Sequence, residues 1–179
     1  MYDIFIIDPP WPKKKGGIRK SRPNQNREFD YKTMDIPSIF SLLDKNIFPL
    51  ANTPHIIFMW TIEQFLIECD TEMQKRGYKR HVRMIWNKTN GVAPAFTIRY
   101  SHEYLIWYYK PKLLKIAQNQ RGKYLSIFAE QARQHSRKPD IAYEMINNLY
   151  PDSKKIDVFS REKREGFDQY GDEINFFKN

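Results

Sequence analysis

The sequence is poor in three features that often identify a protein's chemistry: cysteine, Gly-x-Gly pairs and long apolar runs. Its single cysteine, Cys69, excludes an internal disulfide, fits a reducing compartment and is expected to be a small core residue. The seven glycines contain no Gly-x-Gly pair, so the usual dinucleotide-binding fingerprint is missing. No apolar run has membrane length and the start shows no signal-peptide pattern, so we expect a cytoplasmic protein without a membrane partner.

Metal ligands in a recognisable pattern are missing as well. The four histidines, at positions 55, 81, 102 and 135, have no metal-binding spacing with one another or with Cys69. We therefore expect no metal centre.

What the sequence has in abundance is positive charge and aromatic side chains. Over 179 residues the formal net charge is +9, hydrophobic residues make up 41% and aromatic residues 15%. This length and composition predict one globular domain over residues 1–179. The excess of positive charge predicts a polyanionic partner.

The most informative stretch is the tetrapeptide Asp8-Pro9-Pro10-Trp11, which directly follows a strand-like apolar run over residues 2–7. The prolines end that strand, and ligands bind at the carboxyl ends of strands in open α/β sheets. The Asp8 carboxylate and the Pro9 carbonyl can accept both protons of an exocyclic amine, which leaves its lone pair nucleophilic. Trp11 offers a face on which a base can stack. The alternative is a strand end capped by a proline turn, with Trp11 in the core.

Positive charge is concentrated directly after this tetrapeptide. Residues 13–27 include seven cations and no acid, with the glycines, proline and asparagines typical of a loop. A solvated basic loop is one interpretation, and a clamp on nucleic-acid phosphates beside a base site is the other, which we favour. The residues that we assign to phosphate contact are Lys13, Lys14, Lys15, Arg19, Lys20 and Arg22.

The rest of the chain alternates strand-like and helix-like patterns, which predicts a three-layer α/β domain with a mainly parallel sheet. A hairpin-like run is expected around residues 112–124. The expected strands are residues 2–7, 54–61, 80–86, 103–109 and 155–159, and the expected helices are residues 36–50, 62–76 and 139–149.

Seven short blocks follow one another along almost the whole chain: Asp8-Pro9-Pro10-Trp11, Met59-Trp60-Thr61, Trp86-Asn87-Lys88-Thr89-Asn90-Gly91, Arg99-Tyr100-Ser101-His102-Glu103, His135-Ser136-Arg137-Lys138-Pro139-Asp140, Asp157-Val158-Phe159-Ser160-Arg161 and Gly171-Asp172-Glu173. In this order they resemble the adenine amino-methyltransferases that include the catalytic subunit of the eukaryotic messenger-RNA adenosine methyltransferase and bacterial and phage DNA adenine relatives. The resemblance implies a Rossmann-like methyltransferase fold with permuted motif order, in which the catalytic strand precedes the cofactor strand.

The resemblance also implies S-adenosyl-L-methionine as cofactor and direct in-line displacement without a covalent enzyme intermediate. It implies a catalytic role for the tetrapeptide. For Arg161, an ion pair with Glu162, Glu165 or Asp157 is nearly as good an interpretation as cofactor contact. Where Asp172 stands, the family generally has asparagine, and a carboxylate can accept hydrogen bonds from hydroxyls but cannot donate one. The residues predicted to bind the cofactor are Asp8, Lys138, Asp157, Arg161, Asp172 and Glu173.

Two further blocks supply candidate contacts to nucleic acid. Polar residues follow the strand that ends at Trp86, and a second group precedes the strand that begins at Glu103. Adjacent residues of a strand face opposite sides, so His102 and Glu103 are not expected to share a ligand. The residues assigned to substrate contact here are Lys88, Asn90, Arg99 and His102.

The sequence thus predicts transfer of a methyl group to the exocyclic amine of adenine in DNA, in a bacterial cell or a phage-infected host. DNA is preferred to RNA because the compact chain lacks extra domains that would select structured RNA. The alternatives are the same reaction on RNA, or a catalytically silent nucleic-acid-binding subunit. We expect a monomer or homodimer, with a partner subunit as a further possibility.

Overall fold

The computed structural model describes residues 1–12, 32–90, 98–134 and 136–177, and the chain divides into two compact units. The larger unit consists of Met1–Pro9 and Leu50–Asn179, and the smaller consists of Pro10–Pro49. The single domain over residues 1–179 stays a prediction.

The larger unit is built on one sheet of seven strands in the order β5-β3-β4-β2-β1-β6-β7. Strand β1 pairs in parallel with both β2 and β6, which places it in the middle of a parallel region. The strands are β1 (Tyr2–Ile7), β2 (Ala51–Thr61), β3 (Lys79–Asn87), β4 (His102–Lys110), β5 (Ile127–Ala129), β6 (Lys155–Val158) and β7 (Asp168–Tyr170).

Strand β4 runs against the other six strands of this sheet. It pairs antiparallel with β2 on one side and with β3 on the other, while β5 pairs in parallel with β3 and β7 with β6. A reversed strand begins at the edge where its neighbours end. The first residues of β4 therefore lie at the carboxyl edge of the parallel strands.

Helices cover both faces of the sheet in the larger unit. Helix α3 (Asp140–Leu149) buries Ile146 in a cluster with alternate residues of the central strands, among them Ile4 and Phe58. The intervening residues face the other side, where Cys69 of helix α2 (Leu66–Lys75) lies 3.3 Å from Met59 through their sulfur atoms. The three-layer, mainly parallel α/β architecture is confirmed, and so is Cys69 as a core residue.

The smaller unit contains helix α1 (Ile36–Leu42). The Asp35 carboxylate caps it by accepting a hydrogen bond from the Ser38 amide at 2.7 Å, and Pro37 occupies its first turn. A π-helical turn (Leu43–Ile47) and a 3₁₀ turn (Phe48–Leu50) follow, so the predicted helix over residues 36–50 is α-helical only in its first half.

The other element predictions differ from the structure mainly at their ends. A 3₁₀ turn (Glu63–Phe65) replaces the start of the predicted helix over residues 62–76. The hairpin predicted around residues 112–124 is wrong, because Pro111 ends β4 and the segment contains only a 3₁₀ turn (Gln118–Gln120). No helix in the described ranges is both long enough and apolar enough to cross a bilayer.

Candidate active site

The carboxylates of Asp8 and Asp157 are carried by neighbouring strands at the same edge of the sheet. Strands β1 and β6 pair in parallel register, with Ile6 opposite Asp157 and Ile7 opposite Val158. The Asp8 amide donates to the Val158 carbonyl at 3.2 Å, which extends this pairing by one residue. The strand ends therefore hold two acids close to the point where the chain leaves the sheet.

A continuous series of ion pairs begins at Asp8. The Lys138 Nζ atom lies 3.0 Å from Asp8 Oδ1 and 3.0 Å from Glu103 Oε2, and Lys88 Nζ lies 2.6 Å from Glu103 Oε1. The side chains of Lys138 and Glu103 are only 10% and 14% exposed, so water screens their attraction weakly. We call Asp8, Lys138, Glu103 and Lys88 the charge chain.

The reversed direction of β4 explains how this chain forms. Glu103 is the second residue of β4 and pairs with Trp86, near the end of β3, and Lys88 follows β3 directly. Because β4 begins where β3 ends, Glu103 and Lys88 meet at the edge that also carries Asp8.

The start of helix α3 holds Lys138 in position. The Glu130 carboxylate accepts hydrogen bonds from the amides of Asp140 and Ile141, both at 2.9 Å, and so satisfies the first free N–H groups of the helix. The Lys138 carbonyl accepts a hydrogen bond from Arg164 at 3.0 Å. Backbone contacts at Lys138 and at the two capped amides that follow it thus fix the point from which its side chain reaches Asp8.

Burial and the two lysines set the ionisation of the charge chain. Burial raises the pKa of Asp8, and the nearby Lys138 ammonium opposes that shift without cancelling it. Burial would also raise the pKa of Glu103, but Lys138 and Lys88 lower it to about 2. The two carboxylates raise the pKa of Lys138 despite its burial. Glu103 is therefore permanently ionised near neutral pH, and Lys138 is permanently charged.

Asp157 is the most buried acid at this edge, with 3% of the residue exposed. Its Oδ2 atom accepts a hydrogen bond from the Tyr143 hydroxyl at 3.2 Å, whereas Oδ1 is buried and accepts none from the described residues. Burial, with a contribution from the negative charge of Asp8, raises the pKa of Asp157 to about 7, although Arg164 partly opposes this. One carboxylate oxygen is thus available to a donor that the described chain does not supply.

A small cavity of about 20 Å³ lies between these groups. This volume corresponds to about one water molecule. Side chains that line it include Asp8, Lys138, Tyr143, Asp157, Arg161 and Phe177.

The turn after β6 brings together two residues predicted to bind the cofactor. Arg161 Nε lies 2.7 Å from Glu173 Oε2, and the Arg161 guanidinium stacks 3.7 Å from the ring centre of Phe176. A Cβ atom on Gly171 would lie 2.9 Å from the Ser160 carbonyl oxygen, so only glycine permits this close approach. The ion-pair interpretation of Arg161 is supported, with Glu173 as its partner instead of the acids considered from sequence. Asp172 is exposed.

The tetrapeptide crosses the boundary between the two units. Asp8 and Pro9 belong to the larger unit, and Pro10 and Trp11 to the smaller. Within the smaller unit, the Pro10 carbonyl accepts a hydrogen bond from the Met34 amide at 2.8 Å. Trp11 is 6% exposed and its ring centre lies 6.5 Å from that of Phe40. This burial and the contact with Phe40 favour the core interpretation of Trp11.

The residues predicted to contact nucleic acid do not all point outward. Lys88 contributes to the charge chain and the Asn90 amide donates to the Ala132 carbonyl at 2.9 Å. His102 Nε2 lies 3.2 Å from the Tyr104 hydroxyl, and Arg99 is exposed. Lys13, Lys14, Lys15, Arg19, Lys20 and Arg22 lie outside the described residues.

Sequence reasoning did not assign Glu103 or Tyr143 to the site. Glu103 stands at the start of an otherwise apolar strand, and a carboxylate in that position requires a charged partner. The carboxylate at the start of an apolar strand was therefore the sequence feature that could have identified Glu103. Tyr143 lies among the apolar positions of helix α3, and its hydroxyl contact with Asp157 and its ring contact with Arg164 place it in the site.

Comparison with known proteins extends this description. The sequence matches the MT-A70 family over residues 2–173. It is 25% identical over 179 residues to a probable N(6)-adenosine-methyltransferase MT-A70-like protein of Oryza sativa subsp. japonica, covering 97% of this chain and 23% of that protein. It is 24% identical over 192 residues to the N6-methyladenosine RNA methyltransferase MTA1 of Pyricularia oryzae, covering 99% of this chain and 48% of the relative.

A third relative is closer to this chain in length. The type II methyltransferase M.MunI of Mycoplasma sp is 22% identical over 189 residues, which cover 97% of this chain and 78% of that protein. By contrast, the chain spans about a quarter of the length of the plant relatives that it matches. The family match takes in the whole charge chain together with Asp157, and on this extent the protein belongs to the MT-A70 family.

Proposed function

We propose that this protein transfers a methyl group from S-adenosyl-L-methionine to the exocyclic amine of adenine in DNA. The observation that carries the proposal is the Asp8 carboxylate at the end of β1, ion-paired with Lys138 at 3.0 Å and one strand away from the buried Asp157. Asp8 is suited to bind the amine that is methylated, and Asp157 is suited to bind the polar groups of the methyl donor.

Asp8 acts on the substrate as a hydrogen-bond acceptor. A carboxylate that accepts one proton of the amine, with the Pro9 carbonyl accepting the other, keeps the nitrogen lone pair out of the ring's conjugation. This requires ionised Asp8. Burial opposes ionisation, and the Lys138 ammonium restores part of it, so Lys138 supports the acceptor role of Asp8.

Asp157 fits the cofactor. Its Oδ1 atom is buried and accepts no hydrogen bond from the described residues, which suits a ribose hydroxyl or an ammonium group as donor. When bound, S-adenosyl-L-methionine supplies an activated methyl group on a sulfonium that is a good leaving group. Lys138, Arg161 and Glu173 are the further residues proposed on this side, and Asp172 is proposed as an acceptor at its outer end.

DNA is proposed as the substrate because the chain aligns with 78% of the type II methyltransferase M.MunI, against 48% of the RNA methyltransferase MTA1. On duplex DNA the target adenine would have to leave the stack, at a cost of a few kcal/mol. The basic segment from Lys13 to Arg22 is proposed to bind the phosphates and position the strand. The name of MTA1 makes the same reaction on RNA the second candidate.

The test is a methyl-transfer assay with labelled S-adenosyl-L-methionine on DNA and RNA oligonucleotides of matched sequence, single- and double-stranded. We expect label on the adenine amine of DNA, and loss of that label with Asp8→Asn. Asp152→Asn, a change of the same kind at an exposed turn, is the control and should retain activity. Label on RNA alone would transfer the proposal to RNA. Failure of the protein to bind S-adenosyl-L-methionine in calorimetry would refute it in favour of a silent subunit.

A further inference from the structure

A second cavity in the larger unit lies away from the charge chain. It has a volume of about 470 Å³, within the range of ligand-binding clefts. Its floor consists of Val82, Met84 and Trp107 from the sheet, with Met145 and Leu149 from helix α3. Val82 and Met84 precede Lys88 by six and four residues, so they lie about 20 Å and about 13 Å from it along β3.

Exposed apolar side chains continue this cavity onto the surface. Leu125 and Leu113 both line the cavity, and they are 77% and 37% exposed. Apolar side chains that cluster around a cleft in this way are typical of a protein-interaction surface.

The rim of the cavity is basic. Residues 111–129 contain four cations and no acid, and two of the cations, Lys115 and Arg121, line the cavity itself. An occupant with carboxylates would complement this rim, whereas a second copy of a chain with net charge +9 would bring like charge to it. Aliphatic and methionine side chains outnumber the three ring side chains of the lining, His81, Trp107 and Tyr124, and Trp107 is only 7% exposed. This lining favours apolar side chains over stacked bases as the occupant.

We propose that this cavity, with Leu113 and Leu125 at its mouth, is a docking surface for an amphipathic, acidic segment of a partner protein. Apolar side chains of the segment fill the cleft and its carboxylates face Lys115 and Arg121, as in the binding of an amphipathic helix in a groove. None of the residues that line this cavity belongs to the charge chain, so a segment docked in the cavity does not have to cover it. The proposal is independent of the methyl-transfer reaction.

The test uses a synthetic peptide of about four helical turns with leucines on one face and glutamates on the other. Binding to the full chain is measured by fluorescence anisotropy, alongside peptides in which lysine replaces glutamate or serine replaces leucine. We expect the leucine–glutamate peptide to bind and both altered peptides to bind about tenfold more weakly or worse.

Two matched variants locate the binding. Leu125→Glu should weaken peptide binding about tenfold or more, while Ile67→Glu, at a helix position that is 76% exposed, should leave it within about twofold. Lys115→Gln with Arg121→Gln should weaken it as well. The side chains of Leu125 and Ile67 are both mostly exposed to water, so Leu125→Glu and Ile67→Glu should keep the thermal stability of the parent chain.

Three results would overturn the proposal. The first is no binding of the leucine–glutamate peptide, or equal loss with Ile67→Glu. The second is a dimer in sedimentation that Leu125→Glu converts to monomer, which would make a second copy the occupant. The third is loss of oligonucleotide binding in Leu125→Glu without any peptide binding, which would assign the surface to nucleic acid.

Discussion

Glu103 Oε2 lies 3.0 Å from the Nζ atom of Lys138, the same distance that separates this ammonium from Asp8. One cation therefore serves two carboxylates, and a second cation, Lys88, balances the more distant of them. If Asp8 turns to a substrate amine, Glu103 keeps Lys138 paired. The charge chain can thus release Asp8 without leaving a buried charge alone.

Glu103→Gln tests this arrangement. The variant keeps the shape of the side chain but removes its charge, so that Lys88 loses its partner and Lys138 holds Asp8 more strongly. We expect the free energy of unfolding to fall by about 2 kcal/mol, less than for a fully buried pair because glutamine still accepts hydrogen bonds. Methyl transfer should fall about tenfold or more, as measured by kcat.

The control for this variant is Glu144→Gln, an exposed position of helix α3. It should change neither urea unfolding nor kcat. Equal behaviour of Glu103→Gln and Glu144→Gln would show that the charge chain does not contribute to stability or turnover.

Lys138→Gln should shift the dependence of activity on pH. Burial and the negative charge of Glu103 raise the pKa of Asp8, and the Lys138 ammonium is the main group that lowers it. Without that ammonium the pKa of Asp8 therefore rises further. The acidic limb of the profile of kcat/KM against pH should move up by about one unit, so that part of the lost activity returns at higher pH. Lys154→Gln, at a side chain that is 59% exposed, should leave the limb in place.

The sequence alone was sufficient to predict the architecture and the part of the site that contains Asp8 and Asp157. Alternating apolar runs predicted the order of the main strands and helices, because burial in a layered α/β domain imposes that pattern. Asp8 and Asp157 were found because each lies at the carboxyl end of a strand in a recognisable block. Short strands such as Ile127–Ala129 are too brief to show a period.

The part of the site that contains Glu103 and Lys88 could not be predicted in this way, because it depends on strand direction, which the local sequence pattern does not encode. An apolar strand has the same alternation whether it runs parallel or antiparallel. Only the reversal of β4 places Glu103 beside Lys88 and Lys138, and so converts a predicted nucleic-acid contact into part of an ion-pair network. Trp11 shows a related limit, since aromatic residues suit stacking and core packing equally well.

The fold itself predicts a contrast between two isoleucines on helices. Ile146 of helix α3 is completely buried, whereas Ile67 of helix α2 is 76% exposed. Ile146→Ala should lower the free energy of unfolding by about 3 kcal/mol through lost burial and a residual cavity. Ile67→Ala should change it by less than about 0.5 kcal/mol. Urea unfolding of the two variants measures the difference, and similar values would contradict the packing of α3 on the sheet.

The basic segment after the tetrapeptide gives a prediction from sequence alone. Replacing Lys13, Lys14 and Lys15 by glutamine should weaken DNA binding and flatten its salt dependence. Each lost phosphate contact reduces the slope of log K against log salt by about 0.9, so a change of about two to three is expected. The control replaces Lys112, Lys115 and Lys123, which carry the same charge elsewhere. An equal effect of both triple variants would mean that net charge alone governs binding.

Asp157 predicts how stability and cofactor binding depend on pH. Its pKa is about 7 in the folded chain, against an ordinary value of 3.8, so the folded state holds the proton more tightly than the unfolded state between these values. Stability from this group is therefore largest at low pH and is lost as the pH rises toward 7. Between pH 5 and pH 8 its contribution should fall by roughly 2 kcal/mol, and Asp157→Asn should remove that fall in urea unfolding.

Cofactor affinity should change in the opposite direction. A donor group of S-adenosyl-L-methionine needs the ionised form of Asp157 as acceptor, so its dissociation constant should decrease as the pH rises through 7 and then level off. Asp157→Asn should bind more weakly at pH 8 and show no such dependence, because an amide does not titrate. Calorimetry at pH 6 and pH 8 measures both. If affinity were independent of pH in the parent chain while its stability still fell, Asp157 would be a buried structural acid and the cofactor would be bound without it.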